Sequence, residues 1–134
     1  MSRVFADTSA LYALLIANDV NHGAAAEVFG RLKRDRSLLL TSSYVLVELY
    51  ALLGRRVGRK AVAAFRTEFA PLLEVVWVGS VIHERGLDLL LARADAELSL
   101  VDAVSFVVMR QQRVENVFAY DRHFAREGFT VLES

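Results

Sequence analysis

Four acidic residues stand where a carboxylate is costly or needs a partner: Asp7, Glu48, Asp102 and Asp121. Asp7 and Asp121 each follow a short apolar run, Val4-Phe5-Ala6 and Val117-Phe118-Ala119-Tyr120, and each precedes a helix-like segment. An N-cap accounts for both, because aspartate there accepts from free helix N–H groups and is worth about 1 kcal/mol. Glu48 has Tyr44, Val45, Ala51 and Leu52 three and four positions away. A carboxylate ringed in this way is costly to bury unless a cation, metal or donor pairs with it. The alternative is a place at the edge of the apolar face, with the head in water. Asp102 is the sharpest case. Val101, Ala103, Val104, Phe106, Val107, Val108 and Met109 share its helix, and Ser105 stands one turn on along the same face. The helix dipole favours an acid in a first turn, but it does not explain a polar pair within an otherwise apolar helix.

Carboxylates converging in one cleft repel each other, and a divalent cation relieves the repulsion. The chain has no cysteine and no paired-histidine motif. Oxygen ligands alone suit Mg2+ or Mn2+ rather than Zn2+. Such a site activates water and clamps a scissile phosphate, so phosphodiester hydrolysis is the chemistry this set would serve. A phosphatase with an aspartate nucleophile also places an Asp at the end of its first strand, but usually has a second Asp two residues later. Here that residue is Ser9.

The elements that must position these groups alternate. Val4–Ala6 reads as a strand that stops at the cap-forming Asp7-Thr8-Ser9, and Ala10–Ala17 as a helix. Helical spacing continues from Asn21 through Leu32, and Ser37–Leu40 is a buried strand. Ser42 and Ser43 cap a helix from Tyr44 to about Leu53, ended by Gly54, and Arg59–Phe69 forms another, stopped by Pro71. Leu73–Val78 is a β-branched strand, and Val81–Arg93 a helix with Leu87, Leu90 and Leu91 on one side. A helix over Val101–Arg110, a strand over Asn116–Tyr120, a short helix over Arg122–Arg126 and a strand over Phe129–Leu132 complete the chain. Strands alternating with helices predict an α/β fold with a mainly parallel sheet covered on both faces. In such a sheet the carboxyl ends of the strands lie along one edge, where ligands bind as the strand order reverses. Asp7 and Asp121 sit at two such ends, and helices carrying Glu48 and Asp102 would supply the remaining sides.

At 134 residues, with no linker or repeat, the chain reads as a single domain over 1–134. An apolar fraction of 54% with one proline excludes a disordered chain. No apolar run reaches the roughly 18 residues of a membrane helix, and a charge interrupts the start before a signal-peptide core could form. With no cysteine as well, a soluble, cytoplasmic location is expected. Sixteen Lys and Arg balance sixteen Asp and Glu, which argues against a domain that is basic all over. The charges are nonetheless segregated. Residues 1–30 carry a net −2, 31–66 a net +7 and 67–134 a net −5. The basic stretch, with Arg55, Arg56, Arg59 and Lys60 in its most exposed-looking connection, is either a phosphate-contacting surface for RNA or a solvated helix face.

Taken together, several short motifs resemble the PIN-domain family, and most closely its VapC-type toxins of toxin–antitoxin pairs. They are Val4-Phe-Ala-Asp7-Thr8-Ser9-Ala-Leu, Asn21-His22, Val45-Leu-Val-Glu48-Leu, Leu98-Ser-Leu-Val-Asp102-Ala-Val-Ser-Phe, and Ala119-Tyr-Asp121-Arg-His-Phe124 followed by Gly128-Phe129. Each is weak alone; their order and spacing over nearly the whole chain are specific. The resemblance implies a three-layer α/β/α fold with a central sheet of four to five strands. It also implies an Mg2+- or Mn2+-dependent endoribonuclease, a homodimer, an RNA substrate and a cognate antitoxin that blocks the active site. Carried over residue by residue, the acidic quartet falls on Asp7, Glu48, Asp102 and Asp121 as catalytic and metal-holding groups. The supporting hydroxyl near the first Asp falls on Thr8 or Ser9, and Ser105 stands behind Asp102. The family often has Thr, Ser or Asn two residues before the last Asp, whereas this chain has Ala119, which places one supporting hydrogen bond in question. His22 and His123 match familiar positions and read as structural residues at helix starts.

A reading from another class remains beside it: a catalytically weak or inactive PIN-like module that binds a protein partner. Its support is the apolar fraction and aromatics such as Tyr12, Tyr50, Phe65 and Phe69, some of which would be exposed for a partner helix. The two readings separate on metal binding.

Overall fold

The computed structural model describes residues 2–133; Met1 and Ser134, the ends of the 1–134 domain expected from the sequence, lie outside the described residues. Five strands form one sheet in the order β3-β2-β1-β4-β5: β1 (Arg3–Ala6), β2 (Leu38–Ser42), β3 (Leu73–Val76), β4 (Asn116–Phe118) and β5 (Thr130–Val131). Every pairing is parallel. Helices α1 (Thr8–Leu15), α2 (His22–Arg34), α3 (Ser43–Arg56), α4 (Arg59–Ala64), α5 (Ser80–Ala92), α6 (Leu100–Gln112) and α7 (His123–Arg126) make it a three-layer α/β/α fold. Among the described residues no helix is long and apolar enough to cross a membrane.

The topology follows from hydrophobicity. Val4, Phe5, Ala6, Leu40, Val117 and Phe118 are buried, as strands covered on both faces require. Strand β1 is central, and chain order reverses beside it: β2 and β3 lie to one side, β4 and β5 to the other. Ala6 pairs with Phe118, so the segments carrying Asp7 and Asp121 leave the sheet side by side.

Several boundaries differ from the sequence reading, each for a local reason. Helix α3 runs through Gly54 to Arg56, because the stop is Gly58: its φ of +129° favours glycine, and its N–H and that of Val57 both donate to the Leu53 carbonyl. Ser42 alone caps α3, accepting from Val45 N–H at 3.2 Å, while Ser43 Oγ accepts from Val78 N–H at 2.9 Å. The helix expected over Arg59–Phe69 is α-helical only to Ala64 and widens into a π turn over Phe65–Phe69. The wider turn stacks Phe65 on Phe69, ring centres 5.5 Å apart, with Tyr50 edge-on to Phe65 and Phe29 tilted against Phe69. Strand β4 stops at Phe118 because Tyr120 N–H leaves the ladder to donate to Ser9 Oγ at 2.9 Å.

Helix α5 differs in its buried face. Leu91, expected to share a side with Leu87 and Leu90, is 81% exposed, and α5 packs tightly on α6 at the buried Gly86. A Cβ there would lie 2.5 Å from Cγ2 of the fully buried Val104, on the helix that carries Asp102. The clip at the other end of α6 is Glu127, bonded to Arg93 Nε at 2.6 Å and Arg110 Nη2 at 2.9 Å. Those bonds, the Arg93 bond foremost, hold its carboxyl down at about 2. Gly86→Ala is therefore expected to destabilise the fold by about 1–3 kcal/mol through overpacking, despite alanine's better helix propensity. A lower urea midpoint with an unchanged slope is the expected result; an unchanged midpoint would show that α5 and α6 separate freely.

Candidate active site

The chain enters the site at Asp7, an extended residue directly after β1. Its Oδ2 accepts from Ser9 N–H at 3.2 Å and from Ser9 Oγ–H at 2.7 Å, which makes it the N-cap of α1. The same Ser9 hydroxyl oxygen accepts from Tyr120 N–H. One serine thus ties the end of β1 to the segment that carries Asp121. Asp7 N–H also donates to the Phe118 carbonyl at 3.0 Å. Thr8, the other hydroxyl candidate, is buried, and its Oγ1 has no hydrogen-bond partner among the described residues.

Asp102 comes to the site from α6. Ser99 caps that helix in a reciprocal box: Ser99 Oγ accepts from Asp102 N–H at 3.1 Å, and Asp102 Oδ2 accepts from Ser99 N–H at 3.2 Å. Ser105 Oγ donates to the Val101 carbonyl at 2.8 Å within the helix, so its bond goes to the backbone and not to Asp102. Asp121 Oδ1 accepts from His123 N–H at 2.9 Å at the start of the last short helix. A donor atom from each of Asp102, Asp121 and His123 lies within 4.8 Å of the others.

Glu48 lies on the second turn of α3, half-buried, outside that close group. Helix α3 leaves the same strand edge as α1, because Ser42 ends β2. Ala119 is buried, and the polar tie in its neighbourhood runs through Ser9. His22 Nδ1 lies 2.9 Å from the Ala13 carbonyl and joins the start of α2 to α1. Arg55, Arg56, Arg59 and Lys60 are exposed at the α3–α4 junction, with the Arg56 guanidinium 5.3 Å from the Tyr12 ring centre. Ser99 and Asp95 escaped the sequence reading. Ser-x-x-Asp is a capping-box pattern that could have revealed Ser99; nothing in the sequence marks Asp95, which tertiary packing alone sets beside His123.

The electrostatics fit a cation. Burial raises the pKa of Asp7 to about 7, and the charges of Asp102 and Asp121 push it the same way against the Ser9 hydrogen bonds. Burial and the Asp121 charge also raise Asp102. Among the described residues no lysine or arginine forms an ion pair with these three carboxylates. Each aspartate commits one oxygen to a backbone N–H and leaves the other without a hydrogen bond among the described residues. Hard oxygen donors with no lysine or arginine to neutralise them are the kind of group that holds Mg2+ or Mn2+.

Asp7 makes the stability of the cation-free protein depend on pH. Because its folded pKa lies above the ordinary value of 3.8, its contribution is fully present below about pH 4 and lost as pH rises through 7. In EDTA, Asp7→Asn should exceed the wild type by about 2–4 kcal/mol at pH 8, and the gain should shrink at pH 5. Urea melts at the two pH values measure this; equal stability at pH 8 would show that Asp7 is not strained by its charge.

Comparison with known proteins agrees with this architecture. The PIN domain family model matches residues 4–129. The 23S rRNA-specific endonuclease VapC20 of Mycobacterium tuberculosis is 36% identical over 127 residues, 94% of this chain and 95% of that protein. Ribonuclease VapC26 of the same organism is 30% identical over 121 residues, 89% of this chain and 87% of its own. The crystal structure of VapC20, described as a sarcin–ricin loop cleaving toxin, superposes with a TM-score of 0.84 over 98% of this chain and 99% of that one. The VapBC2 structure from Rickettsia felis, 12% identical, shares the fold at a TM-score of 0.74 over 98% and 99% of the two chains. With the family model matched over residues 4–129 and the whole fold shared with VapC20, this chain belongs to the PIN domain family.

Proposed function

We propose that this chain is a divalent-metal-dependent endoribonuclease, the toxin of a toxin–antitoxin pair, acting in the cytoplasm. The observation that carries the reading is the convergence of Asp7, Asp102 and Asp121 at one sheet edge, with no lysine or arginine paired to them among the described residues. Mg2+ or Mn2+ held there would polarise a phosphodiester and help to activate water. Asp102 and Asp121 would hold the ion, Asp7 would add a third negative charge beside it, and Glu48 on α3 would be the fourth carboxylate of the site. Ser9 positions Asp7 and Ser99 positions Asp102 by the bonds described above. Thr8 Oγ1 and Ser105 Oγ, the other two hydroxyls expected to support the aspartates, make no bond to either and have no part in this reading. VapC20, 36% identical, is named for 23S rRNA, so ribosomal RNA is the first substrate to offer.

The RNA backbone would run over Arg55, Arg56, Arg59 and Lys60. Arg56 is eight residues beyond Glu48, about 12 Å along a helix, within reach of phosphates flanking the scissile one. Arginine and lysine there supply affinity without reading bases. A protein partner has its own support: Trp77, 75% exposed, lines an apolar groove of about 600 Å3 together with Leu46, Tyr50, Val62 and Val75. An antitoxin and a second copy of the chain, as a homodimer, are the partners this reading includes. The protein-binding module without catalysis would keep that groove and leave the carboxylates without a task.

Two measurements test the reading. EDTA should abolish cleavage of ribosomal RNA, and Asp102→Asn should slow it by on the order of a hundredfold or more while the fold is retained. Cleavage by Asp102→Asn at the wild-type rate would sink the assignment. Mg2+ at a hundred times its Kd should add about 2.7 kcal/mol of stability, seen as a higher melting temperature; no shift at millimolar Mg2+ would favour the binding module. Separately, charge reversal at Arg55, Arg56, Arg59 and Lys60 should weaken RNA binding and flatten its salt dependence together. Unchanged binding removes that surface from the mechanism.

A further inference from the structure

One buried group at the site has no part in the chemistry above. His123 is 7% exposed, and its Nε2 lies 3.7 Å from Asp121 Oδ1, past hydrogen-bond reach. Its Nδ1 lies 3.1 Å from Asp95 Oδ2. Asp95 is itself held in place: Oδ1 accepts from Glu97 N–H at 2.9 Å, and Oδ2 from Arg126 Nη1 at 3.2 Å. A carboxylate beside Nδ1 favours the tautomer with the proton on that nitrogen. The Nε2 lone pair is then left toward the Asp102–Asp121 pair. The order carboxylate, imidazole, metal is how proteins orient a ligating histidine.

The spacing agrees. Ligands about 2.1 Å from one octahedral ion stand about 3 Å apart when adjacent and about 4.2 Å apart when opposite. The 3.7 Å between His123 Nε2 and Asp121 Oδ1 is a few tenths of an ångström wider than an adjacent pair, a closure that side-chain rotation would supply, and one ligand atom each of Asp102, Asp121 and His123 lies within 4.8 Å of the others. Bare acidic clusters are common on protein surfaces; here a nine-tenths-buried imidazole, its Nε2 without a hydrogen bond among the described residues, stands beside one.

We propose that His123 Nε2 is a direct ligand of the cation bound by Asp102 and Asp121, with Asp95 as the residue that orients it. The inference rests on the metal-dependent reading of the site and sharpens it: a mixed nitrogen–oxygen site prefers Mn2+, whereas Mg2+ favours oxygen alone. The sequence reading placed His123 as a helix-start residue, and it keeps that position; the added role belongs to the far side of its ring.

Pulsed electron paramagnetic resonance on the full chain loaded with Mn2+ reads the bond directly. The wild type should show nitrogen coupling from a bound imidazole. His123→Gln should lose it, with the Mn2+ dissociation constant raised about 10–100-fold and the Mg2+ constant moved far less. His22→Gln and His83→Gln should keep the coupling, which decides the matter even if His123→Gln does not fold. Mn2+ binding without nitrogen coupling, or coupling that survives in folded His123→Gln, overturns the role of His123 and leaves the carboxylate site standing. Failure to bind Mn2+ at all overturns both.

Discussion

The site is organised by repulsion. Asp7, Asp102 and Asp121 share one edge of the sheet, two of them buried, and the burial that raises the pKa of Asp7 to about 7 is reinforced by the charge of the other two. A protein tolerates such an arrangement only when the surrounding structure over-determines it. Here the over-determination is a parallel β1–β4 pair at the centre of the sheet, with Ala6 opposite Phe118, so that neither acidic segment can swing away from the other. Ser9 adds the cross-tie, its hydroxyl accepting a hydrogen bond from the Tyr120 amide while donating one to Asp7. The long apolar helix α6 then delivers Asp102 with its first turn locked by Ser99.

Capping and function are not rival explanations of these aspartates. Asp7 caps α1, Asp102 closes a capping box and Asp121 accepts from the start of the last helix. In each case one carboxylate oxygen is used, and the second has no bond among the described residues. The capping bond fixes the rotamer of the group and thereby aims the free oxygen. A helix start at a strand's carboxyl edge therefore supplies both the orientation and, through its N–H groups, part of the compensation that a buried carboxylate needs.

The balanced net charge hides this division of labour. The acids concentrate at a site where a cation would neutralise them, while Arg55, Arg56, Arg59 and Lys60 lie exposed beyond the end of the helix that carries Glu48. Away from the site, charges serve packing instead: Glu127 clips α5 and α6 together through Arg93 and Arg110 and is among the most strongly acidic groups in the chain. Asp95 stands between the two uses, an acid paired with Arg126 on one side and His123 on the other.

The sequence by itself determined the α/β alternation, the near-correct extents of most strands and helices, and the three aspartates whose positions at element starts made them conspicuous. These are local matters: hydrophobic period, cap chemistry and strand ends are written within a few residues of one another. It misplaced the end of α3, because glycine at 54 looks like a stop while the positive φ that makes a stop occurs at Gly58. It could not foresee the π turn, which answers to aromatic packing among Phe29, Tyr50, Phe65 and Phe69. Only the tertiary structure chose Ser9 over Thr8 as the partner of Asp7, turned Ser105 back on its own helix, and set Asp95 and His123 together from residues 28 apart in the chain. Which oxygen meets which proton is decided by distances of a few tenths of an ångström between separate elements. Residue type and spacing along one chain carry no record of those distances.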